Sequence, residues 1–191
     1  MRRKKEFYVE KKEYIKIDMR NLKIKGDVID IGVKNYGIIY KMCRESFDEV
    51  ALDYIMEEEK RLIEKECYDT AILFFTLNLL HNSKKRKKLI KEVCNYISED
   101  GEILLWDLKK SFGQLVDLEV EVLFNNGESE IVNIRNRNPV VKLEFSKVKK
   151  IIYPYFDIVE EKEGNNIFFI RARRKKKGKH KDETSIDSIK C

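Results

Sequence analysis

Residues 26–37 read GDVIDIGVKNYG. Val28, Ile29 and Ile31 form a short β-rich run between Gly26 and Gly32, the pattern of a strand bounded by turns. A polar turn follows, and Gly37 opens IIYKMCRES (38–46), which reads as a helix. Strand, glycine turn and helix together hold nucleotide-type ligands at the edge of a parallel sheet, because the first backbone N–H groups of the helix face the ligand. Here Lys34 and Asn35 occupy the middle of the turn, where a further glycine would let backbone and ligand approach closely. Asn tolerates left-handed φ better than most residues, which makes Asn35 the substitute for that glycine. Lys34 either reaches a ligand carboxylate or points to solvent.

Outward from this turn the chain alternates. EVALDY (49–54) reads as a second strand, and MEEEKRLIEKE (56–66) as a helix whose first-turn acids suit the macrodipole. DTAILFFT (69–76) is almost wholly apolar, as expected of a strand covered on both faces. KKRKKLIKEVCNYIS (84–98) is an amphipathic helix with Leu89, Ile90, Val93, Cys94 and Ile97 as its apolar stripe. EDG (99–101) reads as a turn and EILLWDL (102–108) as another buried strand. The order β-α-β-α-β-α-β predicts an α/β domain with a parallel sheet and right-handed crossovers.

After Ser111 the pattern changes. Residues 116–136 predict a β-hairpin around an Asn-Gly turn, with one wet face. Such an insertion serves as a lid, a dimer contact or a decoration. Residues 140–156 read as a helix stopped near Pro154, and 156–174 as two antiparallel strands around EGNN. Residues 1–25 form a loosely alternating lead-in with one or two short strands. The expected organisation is this lead-in, one domain over 26–174 and a basic, disordered tail over 175–191.

Composition narrows the class. The 191 residues suffice for one domain with a sizeable core, and 42% are apolar. Two prolines and eight glycines argue against a turn-rich β-sandwich. Net charge is +6, but four basic groups sit in RRKK (2–5) and eight in RARRKKKGKHK (171–181). Setting those twelve aside leaves 28 basic against 34 acidic residues, a mildly acidic body. The basic ends suit RNA, DNA or an anionic membrane surface, or are solvated ends without a partner. Cys43, Cys67, Cys94 and Cys191 are far apart, so neither a disulfide framework nor a metal site is expected, and reduced thiols fit a cytoplasmic protein. Residues 70–80 are too short and too polar to span a bilayer, and the basic start has no apolar stretch of a signal peptide behind it.

The constellation resembles the class I S-adenosylmethionine-dependent methyltransferases. VIDIG (28–32) is similar to the family's first strand, an acid followed by glycine. YDTAILFFTLNLL (68–80) and KKLIKEVCNYISEDGEILLWDL (87–108) resemble its fourth strand, helix and fifth strand. FDIVEE and IFFIRARR resemble its antiparallel end. The resemblance implies an α/β, Rossmann-like methyltransferase fold, mostly parallel with an antiparallel C-terminal strand. It implies S-adenosylmethionine as cofactor and methyl transfer to an unknown acceptor. Asp30, Gly32, Asn35, Tyr36 and Gly37 would then form the turn that holds the cofactor's amino-acid part. Asp53 would accept hydrogen bonds from the ribose hydroxyls, and Phe75 and Thr76 would line the methionine side.

Three departures from the family pattern stand out. The middle of the first turn lacks its glycine. From Asp53 to Tyr68 there is room for one helix only, where the family fits its third strand and another helix; the usual third strand is therefore expected to be missing, with strand two left at the edge. FFTLNLLH carries no proline after the fourth strand, unlike the motif of enzymes that methylate nucleobase amines. His81 is the first candidate for a general base, against the reading of a surface turn residue. Asp107 either shapes the same mouth or caps a turn, and Trp106 reads as core. Two other readings stand beside the enzyme: an inactive methyltransferase-like interaction module, and an adaptor contacting nucleic acid or a membrane through the basic ends. A dinucleotide-binding oxidoreductase fits less well, because the GxGxxG spacing is absent.

Overall fold

The computed structural model describes residues 12–46, 52–55 and 65–176. The predicted helix 56–66 falls almost wholly outside these residues, as do the basic run 2–5, Cys191 and the part of the tail from 177 onward.

The main sheet is built from β2 (Val28–Ile31), β3 (Leu52–Ile55), β4 (Tyr68–Phe74), β5 (Ile97–Leu108), β8 (Phe156–Glu163) and β9 (Ile167–Arg174). Their order is β3-β2-β4-β5-β9-β8. The first four are mutually parallel, and β9 joins antiparallel to β5 and β8. Among the described residues β3 lies at the edge of the sheet; the segment expected to lack the family's third strand falls mostly outside them.

Two helices, α2 (Ser83–Tyr96) and α3 (Phe145–Ile152), cover one face. Leu89, Ile90 and Val93 of α2 and Val148, Ile151 and Ile152 of α3 pack there on Ile29, Ala71, Leu73, Ile103 and Leu105. The other face carries α1 (Ile38–Ser46) and a second, three-stranded sheet of order β1-β6-β7, formed by β1 (Glu13–Asp18), β6 (Val116–Leu123) and β7 (Ser129–Asn136). Alternation along β6 buries Val116, Leu118, Val120 and Val122 against Val28, Ile72, Phe74, Leu104 and Trp106. Full burial of such a side chain contributes roughly 1.5–3 kcal/mol, so this face is a core in its own right. The predicted hairpin is thus a covering layer, and the lead-in strand is part of it. β1 pairs in parallel with β6, from Glu13 beside Leu118 to Asp18 beside Leu123.

Three sequence expectations change. The strand expected from Glu102 begins earlier, at Ile97, which pairs with Tyr68; EDG (99–101) still turns, because Glu102 pairs next with Thr70, the residues between bulge out of β5, and the place of a Gly101 Cβ comes within 3.1 Å of the Ile97 Cβ. The helix expected over 140–156 is confined to Phe145–Ile152. Its predicted start is used elsewhere, since Leu143 and Lys110 exchange backbone hydrogen bonds of 2.9 and 2.8 Å. The basic run 171–181 begins inside β9, where Arg171 pairs with buried Glu102 and Arg174 with Glu66.

Candidate functional site

Three carboxyl-terminal strand ends, those of β2, β3 and β4, meet beside α1. Asp30, the third residue of β2, is buried at 9% exposure. Burial pushes its carboxyl up to about 7, and among the described residues no hydrogen bond or cation offsets the shift. Cys43 of α1 is the neighbour that feels its charge, and burial above all holds that thiol up at about 11.

The turn after β2 buries Gly32 and exposes Val33, Lys34 and Asn35. Asn35, expected from sequence to take left-handed φ in place of a glycine, does not do so; among the described residues only Glu66 and Phe75 take it without being glycine. Its side-chain Oδ1 instead accepts a 2.8 Å hydrogen bond from the Gly37 N–H. This is a local turn closed by an Asn side chain, which supports entry into α1 and occupies one of the first backbone donors. Gly37 holds φ +72°, and open space surrounds the place of a Cβ. Glycine is required there by backbone conformation, not by crowding. Half-buried Tyr36 sets its ring edge-on to Phe74, with centroids 5.9 Å apart.

Asp53 pairs in register with Ile29, and Asp30 with Tyr54. Asp53 therefore stands two residues before Ile55, the last residue of β3, rather than at the strand end.

The end of β4 is strained. Phe75 has φ +52°, costly for an aromatic residue, and is fully buried. Its N–H donates to the Trp106 carbonyl at 2.8 Å, and its carbonyl accepts from Asn78 Nδ2 at 2.7 Å. Thr76 donates its hydroxyl to the Ile31 carbonyl at 3.0 Å. Phe75 and Thr76, expected to line the methionine side, are both buried at the carboxyl end of β4, and the Thr76 hydroxyl is bonded to Ile31.

Beneath that turn lies a polar network that sequence reasoning did not assemble. Asp107, fully buried, accepts from Leu77 N at 2.6 Å, Asn78 N at 3.2 Å, Asn78 Nδ2 at 2.8 Å and Leu108 N at 2.7 Å. Burial still lifts its carboxyl to about 6 against those four bonds. Of the two sequence readings, Asp107 is the turn cap, and Trp106 is core as expected, at 5% exposure. Asn136, at the end of β7, donates from Nδ2 to the Asn78 carbonyl at 2.7 Å, tying the covering sheet to this turn. Arg86 donates to the carbonyls of Leu77, Leu80 and Lys142 at 2.8–3.0 Å. The signals were there: Asn78 interrupts an apolar run, and Arg86 falls on the buried stripe of α2. His81 is exposed just before α2, whose N-cap is Asn82.

A groove of about 780 Å³ lies elsewhere, between β1 and the β8–β9 hairpin, with Tyr14, Trp106, Phe169 and Arg171 among its walls. It includes neither Asp30 nor the glycine turn. Among the described residues no group of three His, Cys, Asp or Glu side chains is placed to hold a metal ion, and no helix is long and apolar enough to cross a membrane.

The parallel strands, the antiparallel closing pair and the glycine turn at the end of β2 define the fold of class I S-adenosylmethionine-dependent methyltransferases. The PH0226 protein of Pyrococcus horikoshii is similar, with TM-score 0.57 and 14% identity over 82% of this chain and 85% of that one. So is an S-adenosylmethionine-dependent methyltransferase of Clostridium acetobutylicum, with TM-score 0.53 and 9% identity over 79% and 85%. A third, from Methanosarcina mazei, is described as an S-adenosylmethionine-dependent methyltransferase and has TM-score 0.51 and 15% identity over 82% and 95%. No family model and no curated protein sequence matches the chain.

Proposed function

We propose that the chain binds S-adenosylmethionine across the carboxyl ends of β2, β3 and β4 and transfers its methyl group to an acceptor. The observation that carries this reading is Asp30, a buried carboxyl beside the glycine turn, lifted by burial to about 7 with no cation paired to it among the described residues. A buried charge without a partner is costly, and a cationic ligand that ionises it recovers that cost. The fit extends to the turn, where Gly37 leaves open space on its would-be Cβ side.

When bound, S-adenosylmethionine supplies an electrophilic methyl group on a positively charged sulfur. Asp30 holds the ligand's cationic part. Gly32, Asn35, Tyr36 and Gly37 shape the turn around it, and Asp53 accepts from the ribose hydroxyls. Phe75 and Thr76 act through backbone placement, because their side chains are committed to the core and to Ile31. Methyl transfer needs alignment more than proton movement, so positioning supplies much of the rate. His81, exposed between the post-β4 turn and α2, is the proposed group to take a proton from the acceptor. The reading places the protein in the cytoplasm, on the wide spacing of Cys43, Cys67, Cys94 and Cys191 in the sequence.

Titration calorimetry with S-adenosylmethionine and S-adenosylhomocysteine tests it. Micromolar binding is expected, weakened at least tenfold in Asp30→Asn and in Asp53→Ala. A folded chain that gives no heat with either ligand overturns the proposal.

A further inference from the structure

α2 carries a charge pattern that its own stability does not explain. Arg86, Leu89, Ile90, Val93 and Tyr96 are its buried residues. On the opposite side Lys84, Lys87, Lys88 and Lys91 are exposed and follow one another at i, i+3, i+4 and i+7, a continuous lysine row along the helix. Lys85 is exposed beside it. The helix has 14 residues, so it is about 21 Å long.

This placement works against the helix. Lys84–Lys88 and Lys87–Lys91 are like-charge pairs one turn apart, which repel. Lys84 and Lys85 stand in the first turn, where the macrodipole favours acids, and no acid is present there. Only Lys88 has an ion-pair partner among the described residues, Glu92 at 3.7 Å, and Lys88 remains 79% exposed. α3, beside α2 on the same sheet face, adds exposed Lys147 and Lys150, also without ion pairs among the described residues. All this sits on a body that is mildly acidic once the basic ends are set aside.

We propose that the exposed lysine row of α2, extended by α3, is a docking surface for the phosphodiester backbone of a nucleic acid. A membrane surface fits less well. Helices that lie in a bilayer interface present apolar side chains to it, whereas the exposed positions of α2 are Ser83, the five lysines and Asn95. Lysine ammonium groups act as point charges on phosphates and read no base edge, so the contact is sequence-independent and salt-sensitive. The proposal is independent of methyl transfer and concerns the folded helical face, not the chain's basic ends.

The test is fluorescence anisotropy of the full chain with a labelled oligouridylate and with a labelled DNA duplex over a salt series. It compares native protein with Lys84→Gln/Lys87→Gln/Lys88→Gln/Lys91→Gln. A charge-matched control, Lys12→Gln/Lys16→Gln/Lys41→Gln/Lys109→Gln, removes four lysines that lie outside α2 and α3. Circular dichroism confirms that all three are folded. The α2 variant is expected to lose at least tenfold in affinity at low salt, and its slope of log K against log salt on oligouridylate to shrink by about 3, roughly 0.7 per lysine withdrawn from a phosphate. The control should lose far less. Equal losses in both variants, unchanged binding in the α2 variant, or no binding by native protein would each overturn the proposal. So would lysine-dependent binding to phosphatidylserine vesicles without binding to either nucleic acid. Because the ligands differ, failure here leaves the S-adenosylmethionine titration to stand or fall by itself.

Discussion

The Thr76 hydroxyl donates to the Ile31 carbonyl at 3.0 Å, joining the end of β4 to the end of β2 where the glycine turn begins. Thr76 is 2% exposed, so no water replaces this bond if it is lost. Thr76→Val is expected to lower stability by about 1–2 kcal/mol, the cost of leaving a buried acceptor unsatisfied. Thr76→Ser should retain most of it. Urea unfolding of the two variants makes the comparison.

Asp30 gives a pH signature. Its folded carboxyl lies at about 7 against an ordinary 3.8, so the folded chain holds this proton more tightly than the unfolded one. The stabilisation is full below pH about 4 and is lost as pH rises toward 7. Asp107, lifted to about 6, adds a slope of the same sign. Asp30→Asn should remove the larger share and be more stable than native protein at pH about 8, by an amount on the order of a few kcal/mol. Unfolding curves at low and high pH read this directly; parallel curves for the two proteins would show that Asp30 keeps an ordinary carboxyl.

The same linkage reaches the ligand. If S-adenosylmethionine binds ionised Asp30, its affinity should fall by up to about tenfold per pH unit below 7. In Asp30→Asn the affinity should be weak and nearly level with pH. Calorimetry at three pH values measures both profiles.

Asp107 is surrounded by donors alone: the N–H groups of Leu77, Asn78 and Leu108 and the Asn78 amide. Asp107→Asn keeps the shape but sets an NH₂ group against those donors. A loss of about 2–4 kcal/mol is expected, larger than for most isosteric changes. Asn136→Ala should cost less, because it removes a donor and leaves the Asp107 cap in place. Thermal denaturation ranks the two.

Lys84→Glu/Lys85→Glu should raise the melting temperature by about 1–3 °C, since acids at a helix N-terminus suit the macrodipole. Differential scanning calorimetry shows the shift. A gain here alongside a loss of nucleic-acid affinity would mark the lysines as kept for binding at the expense of the helix.

Much of the sheet was legible because its signals are local. The unbroken apolar run of β4 and the strand–glycine–helix change at 28–38 follow from what each face must bury. The site was legible only in part. Asp30 lies in the predicted strand and Gly37 takes positive φ at the predicted helix start, but Asn35 does not take left-handed φ while buried Phe75 does, and no local pattern asks for a left-handed aromatic there. EDG turns as its composition predicts, but inside a strand that starts at Ile97, because the distant pairing of Ile97 with Tyr68 carries β5 back past the bulge.

The sequence by itself determined the β/α alternation of the parallel core, the hairpin at 116–136 and the basic and apolar stripes of α2, since each is written in the spacing of neighbouring residues. Tertiary structure alone decided that β1 pairs in parallel with β6. It alone gathered Asn78, Arg86, Asp107 and Asn136 under one turn and buried Asp30 with no cation beside it among the described residues. Those outcomes depend on which distant groups meet and which stay unsatisfied once water is excluded, and local periodicity carries no information about that.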